Sequence, residues 1–115
     1  MSVCVWSNGQ IDEGNFRDGN MHGQGKSTWA SGDVYVGAFA EGKMHGQGKC
    51  TWAEGEVYVG EYAEGKRHGR GRSTFANGNV YEGKWSNDNI NGQGTTTYTN
   101  GRRESGTWRD WNFEG

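Results

Sequence analysis

The sequence contains no proline and no leucine, and isoleucine occurs only at Ile11 and Ile90. Because proline has no backbone N–H to donate to a neighbouring strand, its absence suits long strand ladders. The absence of leucine excludes an ordinary aliphatic core. Six Trp, five Tyr and four Phe must therefore supply most of the buried surface, and each of these side chains can remove ~150–250 Å² from water.

Neither sign of charge dominates, since 12 Lys and Arg stand against 14 Asp and Glu, for a formal net charge of −2. A nucleic-acid-binding protein carries a strongly basic face, so we expect no nucleic acid partner. The chain has no run of ~18 apolar residues, and its opening segment MSVCVWSNG lacks the apolar core of a signal peptide. We therefore expect a cytoplasmic protein.

What the sequence has in excess is glycine, at 22 of 115 residues, and the glycines recur periodically. Shifted by 23 residues, Tyr35–Val57 matches Tyr58–Val80 at more than half of its positions. A fixed period of this length indicates a repeat architecture, in which each unit buries its apolar side against its neighbours. We predict one domain, 1–115, divided into a half repeat 1–11, full repeats 12–34, 35–57, 58–80 and 81–103, and a partial repeat or cap 104–115.

Each full unit predicts two strands. Tyr35, Gly37 and Phe39 alternate with other residues in a period of two, which is typical of a strand. The segment from Ala40 to Met44 predicts a turn, a second alternating run ends at Trp52, and a glycine-containing loop closes the unit. The fold class is therefore all-β: an elongated single-layer antiparallel meander of about five 23-residue β-hairpin repeats.

Aromatic residues and glycines share one predicted face of the sheet, and Lys, Gln, Thr and Glu occupy the other. Because Gly37 and Gly48 have no side chain, they leave slots over which the rings of Phe39 or Trp52 from neighbouring strands can lie. A larger residue at either glycine should eject the ring. Interleaved rings and gaps would let a single sheet bury apolar area without a second layer.

The segments Tyr35-Val-Gly-Ala-Phe39 and Gly42-Lys-Met-His-Gly-Gln-Gly48 resemble the MORN (membrane occupation and recognition nexus) repeat. Their counterparts in the next two units carry the same resemblance, which spans nearly the whole chain. It implies a meander twisted with a shallow groove and use as an interaction module, at a membrane or the cytoskeleton, or as an accessory segment of a larger enzyme. It does not imply catalysis by the repeats themselves.

Two recurring residue types invite a site and are better explained as structural. His22, His45 and His68 should lie two strands apart, ~9.6 Å, too far to share one metal ion with ligand distances of ~2.0–2.1 Å. We interpret them as hydrogen-bonding residues at each turn and expect no metal and no cofactor. Cys4 and Cys50, two periods apart, should lie ~19 Å from each other, which is beyond disulfide reach.

One dense basic run, at Lys66, Arg67, Arg70 and Arg72, has two interpretations. It could contact phosphoinositide headgroups, each basic residue being worth ~1 kcal/mol near an anionic surface. The alternative is a solvated face crossed by ion pairs, because several glutamates are close in sequence.

The aromatic face is the remaining candidate site, since a single-layer sheet leaves its rings partly open to a partner. The predicted groove is lined by eight aromatic residues: Tyr35, Phe39, Trp52, Tyr58, Tyr62, Phe75, Tyr81 and Trp85. The leading hypothesis is a non-enzymatic scaffold that binds a protein segment or a second copy of the chain as a homodimer. Its alternatives are a phosphoinositide or anionic-membrane module and a regulatory segment of a larger enzyme such as a lipid kinase.

The last residues depart from the repeat pattern. Glu104 stands where the three units that begin at residues 35, 58 and 81 have tyrosine, and Trp111 takes the position of the turn glycine. Either the sequence is part of a longer chain, or Trp111 and Phe113 fold over the last strand as a cap. Terminal repeats are commonly atypical, which favours the cap.

Overall fold

The computed structural model describes residues 2–115, and it confirms the all-β meander. Eleven antiparallel strands form one open sheet, in which each strand pairs with its neighbours in sequence. The sheet measures 46 × 23 × 19 Å. Its strands are β1 (Ser2–Val5), β2 (Ile11–Arg17), β3 (Asn20–Thr28), β4 (Val34–Ala40), β5 (Lys43–Thr51), β6 (Val57–Ala63), β7 (Lys66–Thr74), β8 (Val80–Ser86), β9 (Asn89–Thr97), β10 (Arg103–Arg109) and β11 (Asn112–Phe113).

Two-residue turns join the strands within each repeat. In the second repeat the turn consists of Glu41 and Gly42, whose φ angles are 50° and 83°. Positive φ at both positions is typical of a type I′ turn, whose twist matches that of the flanking strands. The turn is shorter than the predicted segment from Ala40 to Met44, because β5 already begins at Lys43.

Longer loops join one repeat to the next. Between β5 and β6, the amide of Trp52 donates to the carbonyl oxygen of Glu56 at 2.8 Å, and the amide of Gly55 donates to that of Trp52 at 3.0 Å. Gly55 has a φ of 113°, which only glycine adopts easily. The predicted position of Trp52 at the end of a strand is wrong, because the backbone already turns there.

A row of glycines crosses nine strands of the sheet. Its members pair with one another across successive ladders: Gly14, Gly25, Gly37, Gly48, Gly60, Gly71, Gly83, Gly94 and Gly106. A Cβ atom built on Gly48 would overlap the ring of Tyr35, and one built on Gly37 would lie 2.5 Å from the Cα atom of Gly48. The row therefore leaves room for rings on one strand and for close backbone approach on the next.

The tyrosine near the start of each middle repeat fills this room. Three such residues are fully buried: Tyr35, Tyr58 and Tyr81. The hydroxyl of Tyr35 passes over the glycine row and donates to the carbonyl oxygen of Ala38 at 2.8 Å. The predicted glycine slots are confirmed, but the predicted occupant is wrong: Tyr35, and not Phe39 or Trp52, lies against Gly48.

The core is a zigzag of rings that pack edge to face, with centroids 5.1 to 5.7 Å apart and planes at 79° to 89°. Its seven members, in order of contact, are Phe39, Tyr35, Tyr62, Tyr58, Trp85, Tyr81 and Trp108. Each such pair adds ~0.5–1.5 kcal/mol beyond the area that it buries. Because every second contact joins rings of neighbouring repeats, the zigzag holds the repeats together.

The recurring His-Gly pair marks an irregularity in each hairpin. In the second repeat the register shifts between Gly37 and Phe39, opposite the segment that contains His45 and Gly46, and Gly46 has a φ of 94°. Such a bulge increases the local twist of the sheet. His45 lies on β5 and is exposed, so its predicted position at a turn is wrong.

Candidate functional site: the aromatic face

The two sides of the sheet differ sharply. We call the side that carries the zigzag the aromatic face and the opposite side the polar face. Side chains alternate between them along each strand, so that in β4 Tyr35 is buried while Val36 is 50% exposed. Val59 has the same exposure on β6. In residues 2–115 all eleven strands belong to one sheet, so no second sheet covers either face.

The eight residues predicted to line a groove divide by burial. Six belong to the core, with exposures of 6% or less: Tyr35, Phe39, Tyr58, Tyr62, Tyr81 and Trp85. Trp52 and Phe75 pack against that core and stay half-exposed. A groove lined by these eight residues stays a prediction, and burial leaves Trp52 and Phe75 as the members with ring surface to offer.

An aromatic residue begins each loop between repeats. We call this set the loop aromatics: Trp6, Trp29, Trp52, Phe75 and Tyr98. In each case the amide of the aromatic residue donates to the carbonyl four residues later. Because alternate connections of a meander lie at the same ends of the strands, the loop aromatics form a line along one side of the sheet. We call this side the loop end and the opposite side, which carries the two-residue turns, the turn end.

The side chain of Arg67 reaches from the turn end of the sheet to the loop end. Arg67 follows a turn, yet its guanidinium carbon lies 5.2 Å from the ring centroid of Trp52 at the loop end and 4.5 Å from that of Trp85. Nη1 donates to Glu56 at 3.2 Å and Nε to Asp88 at 3.1 Å. The side chain is only 13% exposed. We call this arrangement the Arg67 site; it holds a cation between rings and carboxylates.

One repeat earlier, Met44 occupies the same position and the space above it is open. A cleft of about 420 Å³ lies there, lined among others by Met44, Trp29, Trp52 and Asp33. We call it the Met44 cleft. Cys50 also lines it, and burial raises the pKa of this thiol to about 11. A thiol with such a pKa stays protonated near neutral pH and is a poor nucleophile.

The four basic residues predicted to contact a lipid do not share a face. Arg67 lies in the Arg67 site, whereas Lys66, Arg70 and Arg72 are exposed on the polar side of β7. Arg70 pairs across the ladder with Lys84, and Arg72 pairs with Glu82, so these basic residues have both a cation and a carboxylate as neighbours. A lipid contact stays a prediction, and its geometry is restricted to the three residues of the polar face.

Other candidate chemistry is limited in residues 2–115. No group of three or more His, Cys, Asp or Glu side chains within this range could hold a metal ion. Cys4 and Cys50 are free thiols. The same range contains no helix with the length and apolar character needed to cross a membrane.

The end repeats replace the buried tyrosine by a carboxylate. Asp12 is 7% exposed and accepts hydrogen bonds from the indole of Trp6 at 2.9 Å and the hydroxyl of Ser27 at 2.7 Å. Glu104 takes the corresponding position near the other end and accepts from the hydroxyl of Tyr98. Hydrogen bonds thus replace ring packing where the zigzag ends.

The segment after β10 turns back onto the aromatic face. The ring of Phe113 lies 4.9 Å from that of Trp108, and the ring of Trp111 lies 5.3 Å from that of Trp85. Trp111 also lies 5.6 Å from the guanidinium of Arg67. These two residues therefore cover part of the face, and Trp111 remains 41% exposed.

Sequence reasoning missed the role of Arg67, which it grouped with a basic run. One signal could have revealed it. The column that contains Arg67 otherwise holds apolar residues, namely Met21, Met44 and Ile90. A charged residue at a repeat position that is otherwise apolar indicates a side chain that faces inward and forms ion pairs. Arg67 forms them with Glu56 and Asp88.

Comparison with known proteins identifies the repeat. The family model for the MORN repeat matches the chain four times, at residues 13–34, 35–57, 58–80 and 81–102. A search of curated proteins finds no match for this chain. MORN repeats are a non-catalytic repeat module that generally mediates protein or membrane interactions. Because the four matches span most of the sequence, the chain belongs to the MORN repeat family.

Proposed function

We propose that this chain is a non-enzymatic scaffold whose aromatic face binds a segment of a partner protein. The observation that carries the proposal is a set of rings that pack on the core and keep exposed surface: Trp29, Trp52 and Phe75. Trp111 extends this surface. Exposed apolar patches with aromatic residues at their centre are typical of protein interfaces.

The rings are held in place before a partner arrives. Loop hydrogen bonds fix the backbone of Trp29 and Trp52, and the zigzag supports them from below. Ordering side chains on binding costs ~0.5–1.5 kcal/mol each, and packing against the core already restricts these rings. A rigid aromatic surface can therefore bind an extended segment at small entropic cost.

Peptide display tests the proposal. We expect peptides selected on the native protein to bind a Trp52→Ala, Phe75→Ala variant at least about tenfold more weakly, since buried aromatic anchors dominate interface energies. A Val36→Ala, Val59→Ala variant removes apolar surface from the polar face and should bind as the native protein does. Equal binding of all selected peptides to both variants, with circular dichroism showing folded protein, would refute a role for the aromatic face.

A second copy of the chain is an alternative occupant of the same face. The exposed edge strand β1, where Val3 is 63% and Val5 70% exposed, offers a different route to a dimer. Sedimentation separates the two routes. A dimer that Trp52→Ala dissociates uses the aromatic face, and one that only Val5→Lys dissociates uses the edge.

An anionic-membrane module is the second candidate, and the cluster of Lys66, Arg70 and Arg72 on the polar face favours it. Phosphoinositide vesicles at low salt give the most favourable condition, because screening is weakest there. We expect co-sedimentation that is lost when these three residues are changed to Gln. Lack of any binding at low salt would rule the lipid function out.

A further inference from the structure

The Arg67 site serves as a template for the ligand of the Met44 cleft. We propose that the Met44 cleft binds the guanidinium group of an arginine side chain from a partner protein, in the way that the next repeat holds Arg67. This inference rests on the proposed function, because it names the chemistry of the segment that the aromatic face accepts.

The walls of the two sites are equivalent in the repeat. Trp29 stands 23 residues before Trp52, and Asp33 stands 23 residues before Glu56. Trp52 and Glu56 are the loop-side ring and carboxylate that contact the guanidinium in the Arg67 site. Their counterparts Trp29 and Asp33 line the Met44 cleft. The loop thus presents the same kinds of group at both sites. The remaining walls differ, because Tyr62 stands where the Arg67 site has Trp85, and Gly65 stands where it has Asp88.

The methionine leaves unfilled the space that an arginine fills one repeat later. Met44 is half-exposed, and the cleft over it has a volume of about 420 Å³, within the ~300–1,000 Å³ range of ligand sites. Its polarizable thioether offers an adaptable floor for a planar group. The cleft therefore has room for an incoming side chain where the next repeat has none.

The charge around the cleft favours a cation. Asp33 and Asp88 line it, and the one basic side chain that also does so, Arg67, is itself paired with Glu56 and Asp88. The amide of Ala53 donates to Oδ1 of Asp33 at 2.7 Å, which fixes the orientation of this carboxylate and leaves its other oxygen for a ligand. An acidic segment would be repelled here.

Guanidinium fits these walls better than ammonium does. Its plane can stack on the indole of Trp29 or Trp52, and its fork of N–H donors matches a carboxylate such as that of Asp33. Lysine offers a more strongly hydrated point charge with neither property. The cleft should therefore prefer arginine.

The first test uses N-acetyl-arginine amide as the probe, and the indole N–H signals of Trp29 and Trp52 in NMR spectra as the readout. We expect saturable shifts of both signals. N-acetyl-citrulline amide has nearly the same shape without the charge, and it should bind at least about fivefold more weakly. Binding of citrulline or of N-acetyl-lysine amide as tightly as arginine would overturn the guanidinium assignment.

Two variants locate the site. Asp33→Asn keeps the acceptor for Ala53 and should weaken arginine binding about fivefold. Met44→Arg supplies an internal guanidinium and should abolish binding. Glu82→Gln removes the same charge from the polar face and should change nothing. Unchanged binding to both Asp33→Asn and Met44→Arg would place the arginine elsewhere and refute the inference.

Failure of this inference is distinguishable from failure of the proposed function. If display-selected peptides depend on Trp52 and Phe75 while the arginine probe shifts no indole signal, the aromatic face binds proteins and the Met44 cleft does not take arginine. If the selected peptides are indifferent to Trp52 and Phe75, the proposed function itself fails.

Discussion

The aromatic and polar faces are formed by the same strands, but side chains pack closely together only on the aromatic face. On the aromatic face each of the three fully buried tyrosines is enclosed by glycines, a hydrogen bond and neighbouring rings. Tyr58, for example, lies against Gly71, donates to the carbonyl oxygen of Glu61 and packs between Tyr62 and Trp85. On the polar face, side chains such as Arg72 extend into solvent. A single-layer sheet therefore concentrates its tertiary packing on one side, and the two faces should differ in how they respond to change.

The largest expected effect follows from ionising the buried tyrosines. Burial raises the pKa of Tyr35 from 10.0 to about 12, and burial also raises the pKa of Tyr58 and of Tyr81. A pKa that is higher in the folded state contributes stability that is complete below pH 10 and lost as the pH rises through about 12. We expect the sheet to unfold in that window.

Circular dichroism of the sheet and the absorbance of tyrosinate, followed in one alkaline titration, check this expectation. The two signals should change together. A Tyr35→Phe variant keeps the ring and loses both one ionising group and the hydrogen bond to Ala38. Its free energy of unfolding should therefore fall less steeply between pH 10 and 12 than that of the native protein. If Tyr35, Tyr58 and Tyr81 ionised near pH 10 while the sheet signal stayed intact, these tyrosines would not be buried as described.

The next largest effect is expected for Gly71→Ala. The new Cβ atom would overlap the ring of Tyr58, which is fully buried, so the ring must leave its slot at a cost of ~3–5 kcal/mol, as for loss of a buried aromatic. The backbone of Gly71 does not have a positive φ, so the cost comes from the ring alone. Urea unfolding measures it.

Arg72→Ala, at the adjacent residue on the polar face, is the matched control for Gly71→Ala. Exposed substitutions of this kind usually change stability by less than ~0.5 kcal/mol. If both variants lost similar amounts of unfolding free energy, the two faces would not differ in their contribution to stability.

A smaller loss is expected for Arg67→Met, which gives the third repeat the central residue of the second. The change leaves the half-buried Glu56 without its cation and removes a partner of Asp88. Breaking a fully buried pair costs ~3–5 kcal/mol, and we expect about 2 kcal/mol because Asp88 is 48% exposed. Urea midpoints provide the measurement.

Lys43→Met serves as the reference for Arg67→Met. Lys43 pairs with Glu64 in an exposed ion pair, with side chains 61% and 71% exposed, and such pairs contribute ~0–1 kcal/mol. If Arg67→Met were as stable as the native protein, the contacts of Arg67 between the turn end and the loop end would not contribute to the free energy of unfolding.

The repeat period and the alternation of residues were enough to predict the strands, because a pattern that recurs four times outweighs local ambiguity. The glycine slots were also predictable. The ring that fills them was not, since Tyr35, Phe39 and Trp52 all fall on one face by alternation alone. The bulge near Phe39 and the end of β5 before Trp52 exclude these two rings and leave the slot to Tyr35. Neither feature has a distinct signal in the alternation of residues.

The candidate site was less predictable, because it depends on contacts between the turn end and the loop end of the sheet. Arg67, Arg70 and Arg72 form one basic run in sequence, yet the pleat of β7 and the bulge direct Arg67 to the aromatic face. Trp29 and Asp33 belong to a loop whose approach to Met44 depends on how the sheet curves. Such curvature accumulates over many residues and cannot be derived from a single repeat.

The smallest expected effect is a gain, at a position that belongs to neither face. Glu41 is exposed and has a φ of 50° in its type I′ turn, a conformation that Asn adopts more readily than Glu. We expect Glu41→Asn to stabilise the protein by about 0.5 kcal/mol, by analogy with other substitutions that suit the native backbone. Glu54→Asn is the matched control, because Glu54 is an exposed loop residue without a positive φ. A urea midpoint that rises for Glu41→Asn alone would show that turn geometry stabilises this sheet independently of the rings, whereas equal midpoints would show that the φ angle of Glu41 costs the sheet no stability.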